Sequence, residues 1–315
     1  MSLPLASSKK TLLQIIQDAC NELGLQAPSY VTSNSDPQIV QMLALANREG
    51  KELYEKPNKN GGWQELRKEY TFNTVGIAAQ NGDYTDGSPI ISGLSDTTGV
   101  VAGMVAVGGY IPVGSVVVSV DSSTQVTLDQ NATATASQST IHFGTQAYSL
   151  PDDFAYFMTQ TFWDRAFRWQ LLGPLEAQEW QVLKSGISPT GPRRRFRVMS
   201  NMFYIDPVPA SSDNVEVFEY YSNAWVQGST GTAKTQFTAD DDLNLLDDDC
   251  ITMGVKWRYL AAKRLDYSVE KAEYDLRIER VMARNGGTRN LPLNASASGI
   301  RLLNQQNVPD SGYGS

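Results

Sequence analysis

The sequence predicts an α+β protein: helices towards both ends, a small antiparallel sheet between them, an inserted all-β module and an extended C-terminal tail. Three observations carry this expectation. Apolar residues recur at helical spacing near both ends of the chain. The stretch from Glu69 to Asp164 contains no Lys or Arg, although both flanks are rich in them. From Asn285 to Ser315 the periodicity stops, and Gly, Asn, Ser and Pro dominate. A composition shift this sharp marks a separately folding unit. The expected division is therefore a discontinuous core of residues 1–75 and 146–284, an inserted β barrel or sandwich at 76–145, and a partner-docking tail at 285–315.

The first helix opens on Thr11-Leu-Leu-Gln14, a capping box in which the Thr11 hydroxyl accepts from the Gln14 amide and Gln14 reaches back. Leu12, Ile16, Ala19 and Leu23 repeat at helical spacing, widened by Leu13 and Cys20, and Gly24 supplies a left-handed stop. A second helix starts with Asp36 as cap and Pro37 at its first position. Its stripe is Ile39, Leu43, Ala46, Gly50 and Leu53, and Pro57 ends it. Trp63 through Phe72 reads as extended.

Within the module, Val100–Val107, Ser115–Val120, Gln125–Leu128 and Thr140–Phe143 are short β-rich runs separated by Gly, Pro, Asp and Ser clusters. After it, Asp152 and Asp153 favour a helix start, with Phe154, Phe157 and Met158 as its apolar face. The aromatic run Thr161–Gln170 fits strand or helix. Pro174 opens a short helix to Lys184. Strands are expected at Arg194–Met199, Met202–Ile205 and Asn214–Tyr221, the first two joined by a tight turn at Ser200-Asn201. Leu246-Asp-Asp-Asp249 then caps a helix carrying Ile251, Val255, Tyr259 and Ala262. A break at Asp266–Ser268 precedes a last helix through Met282, with Glu273 and Arg277 at the favourable spacing for an ion pair.

Composition narrows the function. The 315 residues carry a formal charge of -8, which opposes wrapping nucleic acid, because phosphate binding needs a positive field. The two cysteines, Cys20 and Cys250, lie in apolar helical patterns and read as small buried hydrophobes; a disulfide between them stays open. No run approaches the roughly 20 apolar residues of a membrane helix. The N-terminus lacks a signal peptide's apolar core, so the chain reads as one made and kept in the cytoplasm, or packaged there.

Catalytic patterns are absent. The single histidine, His142, ends an expected strand with no oriented nucleophile beside it. There is no nucleophile elbow, P-loop, dinucleotide fingerprint or zinc motif, so no enzyme, cofactor or metal is expected. Asp240-Asp241-Asp242 and Asp247-Asp248-Asp249 lack the spacing of a calcium loop and read as helix capping plus a solvated loop. The one basic cluster, Arg193, Arg194, Arg195 and Arg197, alternates with Phe196 and Val198. One strand face is therefore charged, either simply solvated or docking an acidic neighbour or passing phosphate. Leucines scattered through the tail look like anchors for a partner's groove.

Several segments together resemble one family. Thr11-Leu-Leu-Gln-Ile-Ile-Gln-Asp-Ala-Cys-Asn-Glu-Leu-Gly-Leu25 is similar to the opening helix of head-to-tail adaptors of short-tailed bacteriophages. Ser149-Leu-Pro-Asp-Asp-Phe154, Pro174–Ser185, Arg195–Pro207 and Val215–Tyr221 resemble the middle of those proteins. Phe237-Thr-Ala-Asp-Asp-Asp242 and Trp257–Tyr267 resemble their closing helices. Ile91-Ser-Gly-Leu94, Gly103-Met104, Ile111-Pro-Val-Gly114 and Val126-Thr-Leu128 resemble a small β module of phage structural proteins.

The resemblance implies a helical adaptor core and a structural virion protein of the neck, assembled in the host cytoplasm. It implies a homo-oligomeric ring, usually dodecameric, seated under the portal protein, receiving the tail tube or nozzle, and lining a channel that double-stranded DNA passes without sequence-specific binding. Leu291, Leu293, Ile300, Arg301, Leu302 and Leu303 are then candidates for portal docking, and Arg193, Arg194, Arg195 and Arg197 for an inter-subunit or portal contact. A different reading keeps the β module as a glycan-binding unit of a host-surface tail component, although its aromatics are few: Tyr84, Tyr110 and Phe143.

Overall fold

A computed structural model describes residues 9–56, 62–185, 193–212 and 214–285. Among them are five α-helices and four antiparallel sheets, so the fold class is α+β. From residue 286 on, the expected tail lies outside the described residues.

Helices α1 (Leu12–Glu22) and α2 (Pro37–Glu55) begin as their caps dictate. Thr11 and Gln14 form the capping box, and the Asp36 carboxylate accepts from the Gln38 amide. Gly24 sits at φ 69°, the left-handed stop. Helix α4 (Asp248–Ala262) starts at Asp247, whose side chain accepts from the Cys250 amide, and α5 (Ser268–Arg284) follows. Cys20 and Cys250 are free thiols buried in this helical core, so the open disulfide is not formed. The core also takes in Trp63, Leu66, Tyr221, Trp225 and Phe237 from neighbouring segments.

The middle of the chain is a two-sheet sandwich. The larger sheet contains β1 (Arg67–Asn73), β9 (Phe154–Phe157), β10 (Trp163–Asp164), β11 (Trp169–Gln170) and β14 (Val215–Ser222). The smaller is β8 (Ala147–Ser149), β12 (Arg195–Met199) and β13 (Met202–Asp206). Ser200 and Asn201, at φ 50° and 59°, make the expected tight turn between β12 and β13. Phe162, Phe196, Phe203 and Phe218 fill the space between the two sheets, with Phe196 and Phe203 stacked 4.8 Å apart. The 8-residue α3 (Ala177–Lys184) lies against the smaller sheet. A short sheet of β15 (Val226–Gln227), β16 (Ala233–Lys234) and β17 (Leu243–Asn244) leads into α4.

The fourth sheet comprises β2 (Gly76–Tyr84), β3 (Ile90–Ser92), β4 (Val105–Gly108), β5 (Val117–Ser122), β6 (Gln125–Leu128) and β7 (Ala136–Gly144). Its order is β4-β7-β2-β3-β6-β5. The Val105–Val116 bridge, with the Ala106 amide donating to Ser115 at 2.9 Å, brings the two edges together into a small barrel. Its separate core includes Tyr84, Ile91, Val126, Ile141 and Phe143. The chain runs in and out through paired Gly76 and Gly144, where an added Cβ would stand 2.4 and 2.1 Å from the Pro209 carbonyl oxygen.

Four local expectations are corrected. Residues 154–157 form β9 and not a helix, because Asp153 accepts from Lys68 Nζ, Tyr220 and Ser222 instead of capping. Pro174 stands ahead of α3, whose cap is Glu176. The strand expected from Val100 begins at Val105. Arg277 pairs with Asp247 at 2.8 Å and Asp249 at 3.0 Å across two helices instead of with the expected Glu273.

Candidate assembly surfaces

The four arginines of the basic cluster divide. Arg193 is exposed. Arg194 turns inward, its side chain only 10% exposed, and its guanidinium meets Glu216 and, at 3.2 Å, Asp164. Asp164 and Glu216 are register partners on β10 and β14, so two buried carboxylates share one cation. Burial pushes the Glu216 carboxyl up to about 7; the Arg194 charge opposes this and the Asp164 charge adds to it. Glu216 Oε2 has no hydrogen-bond donor among the described residues. The Asp164 carboxylate also accepts from the Phe167 amide at 2.9 Å and so holds the base of the β10–β11 hairpin. Arg195 lines a groove on α3, and Arg197 Nη1 donates to the Ala177 carbonyl at 3.3 Å. Leu291, Leu293, Ile300, Arg301, Leu302 and Leu303 lie outside the described residues.

The acidic triplets are structural, and they are less solvated than expected. Asp240 accepts from the Val31 and Thr32 amides. Asp242 is fully buried, paired with Lys234 at 2.6 Å and bound by the Thr238 and Ala239 amides. Burial raises its carboxyl, but these bonds outweigh that and hold it below its ordinary value. Asp248 accepts from the Lys10 amide and from Asn244. No group of three or more His, Cys, Asp or Glu among the described residues could hold a metal ion.

His142 is half-buried on β7, and burial pushes its imidazole down, so it is neutral near pH 7. It lines a cavity of about 420 Å³ between the barrel and the α3–β13 region, with Val105, Leu183 and Val208. No Ser, Thr or Cys stands among the lining residues, and Lys184 and Asp206 there are paired with each other at 2.6 Å. Of the barrel aromatics, Tyr84 and Phe143 are core residues, and only Tyr110 is exposed. These three therefore form no aromatic platform for a sugar ring.

Sequence reasoning missed a buried ion pair. Glu49 of α2 is fully buried, bonded to Arg258 Nε of α4 at 2.6 Å and to the Tyr274 hydroxyl of α5. The signal was present: Glu49 falls between Ala46 and Leu53 on one apolar stripe, and Arg258 beside Val255 and Tyr259 on another. Opposite charges on the buried stripes of two helices announce such a pair.

No set of catalytic side chains is assembled at the cavity or in the acidic clusters among the described residues. The family model for SU10 adaptor protein matches residues 120–296, more than half of the chain, and the chain belongs to that family of phage adaptors. No curated protein matches it. The family is a structural one and not a class of enzymes. No helix among the described residues is long and apolar enough to cross a membrane.

Proposed function

We propose that this chain is a head-to-tail adaptor that forms a ring, of twelve copies by family resemblance, between the portal and the tail tube or nozzle in the virion neck. The observation that carries this reading is the family match, which runs from the barrel through the sandwich to α4, α5 and the start of the tail. The barrel at 76–145 is an insert on a core of 1–75 and 146–284. Its aromatics are largely core, which supports a structural over a glycan-binding role. The apolar residues of the tail, Leu291, Leu293, Ile300, Leu302 and Leu303, with Arg301, dock on the portal. Arg193, Arg195 and Arg197 face a neighbour, while Arg194 steadies the sandwich. A channel lined by a chain of charge -8 lets DNA slide without adhering.

Truncation after Asn285 tests this. The shortened chain should keep the circular dichroism of the full chain, because α1, α2, α4 and α5 pack on one another in a shared core, yet fail to co-sediment with portal rings. Portal binding equal to that of the full chain would remove the docking role of the tail.

A further inference from the structure

The two-sheet sandwich shows unlike faces on its opposite sides. On the larger sheet, Tyr70, Phe72, Phe218 and Tyr220 belong to the inner core, so strand alternation places Glu69, Val217 and Glu219 on the other side, where Glu69 and Glu219 are exposed and Val217 is buried beneath them. Trp163, paired with Val217, joins them. With Arg165 and Arg168 these residues frame an open cleft of about 490 Å³. Arg168 is exposed and forms no ion pair among the described residues. The cleft is rimmed by the β10–β11 hairpin, where Phe167 is 54% exposed and stacks only on Trp169.

On the smaller sheet, Phe203 and Ile205 point to the same inner core, so Tyr204 points away from it. Trp180 of α3 meets Tyr204 on that far side. Helix α3 buries Trp180 and Leu183 but leaves Val182 50% exposed. Val182 stands at an open groove of about 530 Å³ shared with Leu175, Glu176, Glu179 and Arg195.

We infer that these two faces are the two halves of one subunit contact: α3 and Arg195 of one copy seat in the cleft on the outer face of the larger sheet of the next, beside the part that the helical core covers at Tyr221. A second copy fits both faces. Arg168 opposes Glu176 and Glu179, Glu219 opposes Arg195, and Val182 meets the apolar rim at Phe167, while Arg165 and Glu69 already pair at 2.7 Å within the cleft. Because the faces lie on opposite sides of one sandwich, the contact is heterologous, and its repetition closes a ring when the rotation allows. Glu69 and Glu219 balance Arg165 and Arg168 in the cleft, so it offers phosphate no net positive field, and DNA is not the occupant. Trp, Phe and Arg at the rim are the residue types that dominate interface energies. This inference rests on the ring reading and adds to it the surfaces that meet.

Cross-linking of the full chain tests it. Gln178 and Glu219 are both exposed, one on each face, and the native thiols are buried. The Gln178→Cys/Glu219→Cys double variant, treated with a short bis-maleimide, should give a ladder of linked multimers, whereas each single variant should stop at dimers. Adding Val182→Asp should cut the linked fraction by about tenfold, the factor that 1.4 kcal/mol produces. No ladder from a double variant whose wild-type parent sediments as an oligomer, alone or with portal, would overturn this contact and leave the ring reading standing. A wild-type chain that stays monomeric in both conditions, with no ladder, would overturn both.

Discussion

Replacing Arg258 with Leu should weaken the helical core by an amount that grows with pH. Arg258 is 8% exposed, and its guanidinium joins buried Glu49 at 2.6 Å to half-exposed Glu52 at 2.5 Å. Removing one partner of a buried pair costs about 3–5 kcal/mol, because the other charge stays desolvated. Glu52 regains water, so most of the cost falls on Glu49. Burial already raises the Glu49 carboxyl above its ordinary value, against the Tyr274 bond and the Arg258 charge. Without Arg258 it rises further. A carboxyl raised in the folded state stabilises below its unfolded value and loses that contribution as pH climbs through its folded one. The Arg258→Leu deficit should therefore be about 3 kcal/mol near pH 8 and smaller near pH 5. Urea unfolding followed by far-ultraviolet circular dichroism reads it, since α2, α4 and α5 all meet at this pair. Adding Glu49→Gln should recover much of the loss, because a neutral amide still accepts from Tyr274. A deficit below about 1 kcal/mol, the same deficit at both pH values, or no recovery would refute the reasoning.

Two further substitutions probe the fold. Folded Glu216 keeps its proton up to about pH 7 against an ordinary value of 4.5, so stability should fall as pH rises across that window, by at most about 3 kcal/mol. Glu216→Gln should flatten that slope in thermal midpoints measured from pH 5 to about pH 8; an unchanged slope would assign the proton elsewhere. Gly50→Ala reverses the usual gain of about 1 kcal/mol for alanine in a helix. Its Cβ would stand 2.1 Å from the buried Trp225 ring, and overpacking costs about 1–3 kcal/mol, so a higher urea midpoint would contradict the packing described.

What the sequence reveals depends on how local each cause is. Thr11 with Gln14, Asp36 with Pro37, and Ser200-Asn201 act within four residues, and each of those boundaries was legible. Asp153 looked like a helix start by the same local logic, but Lys68, Tyr220 and Ser222 from other strands claim its carboxylate. Strand β2 was missed because Gln80, Asn81, Gly82 and Asp83 have poor strand propensity; β7 and β3 hold it in place. Arg194 read as one member of a surface cluster, and its partners at 164 and 216 are 30 and 22 positions away. The outer faces of the sandwich were illegible for a related reason. Alternation shows that β14 has two sides, but which side a second sheet covers is a tertiary fact.

The most direct measurement is a side-chain-resolution image of the assembled virion neck. The account predicts a closed ring of this chain between portal and tail, its final segment lying on the portal and each α3 set against the large sheet of the adjacent copy. This chain at a host-facing tail tip, its barrel holding a glycan and its copies apart, would contradict it.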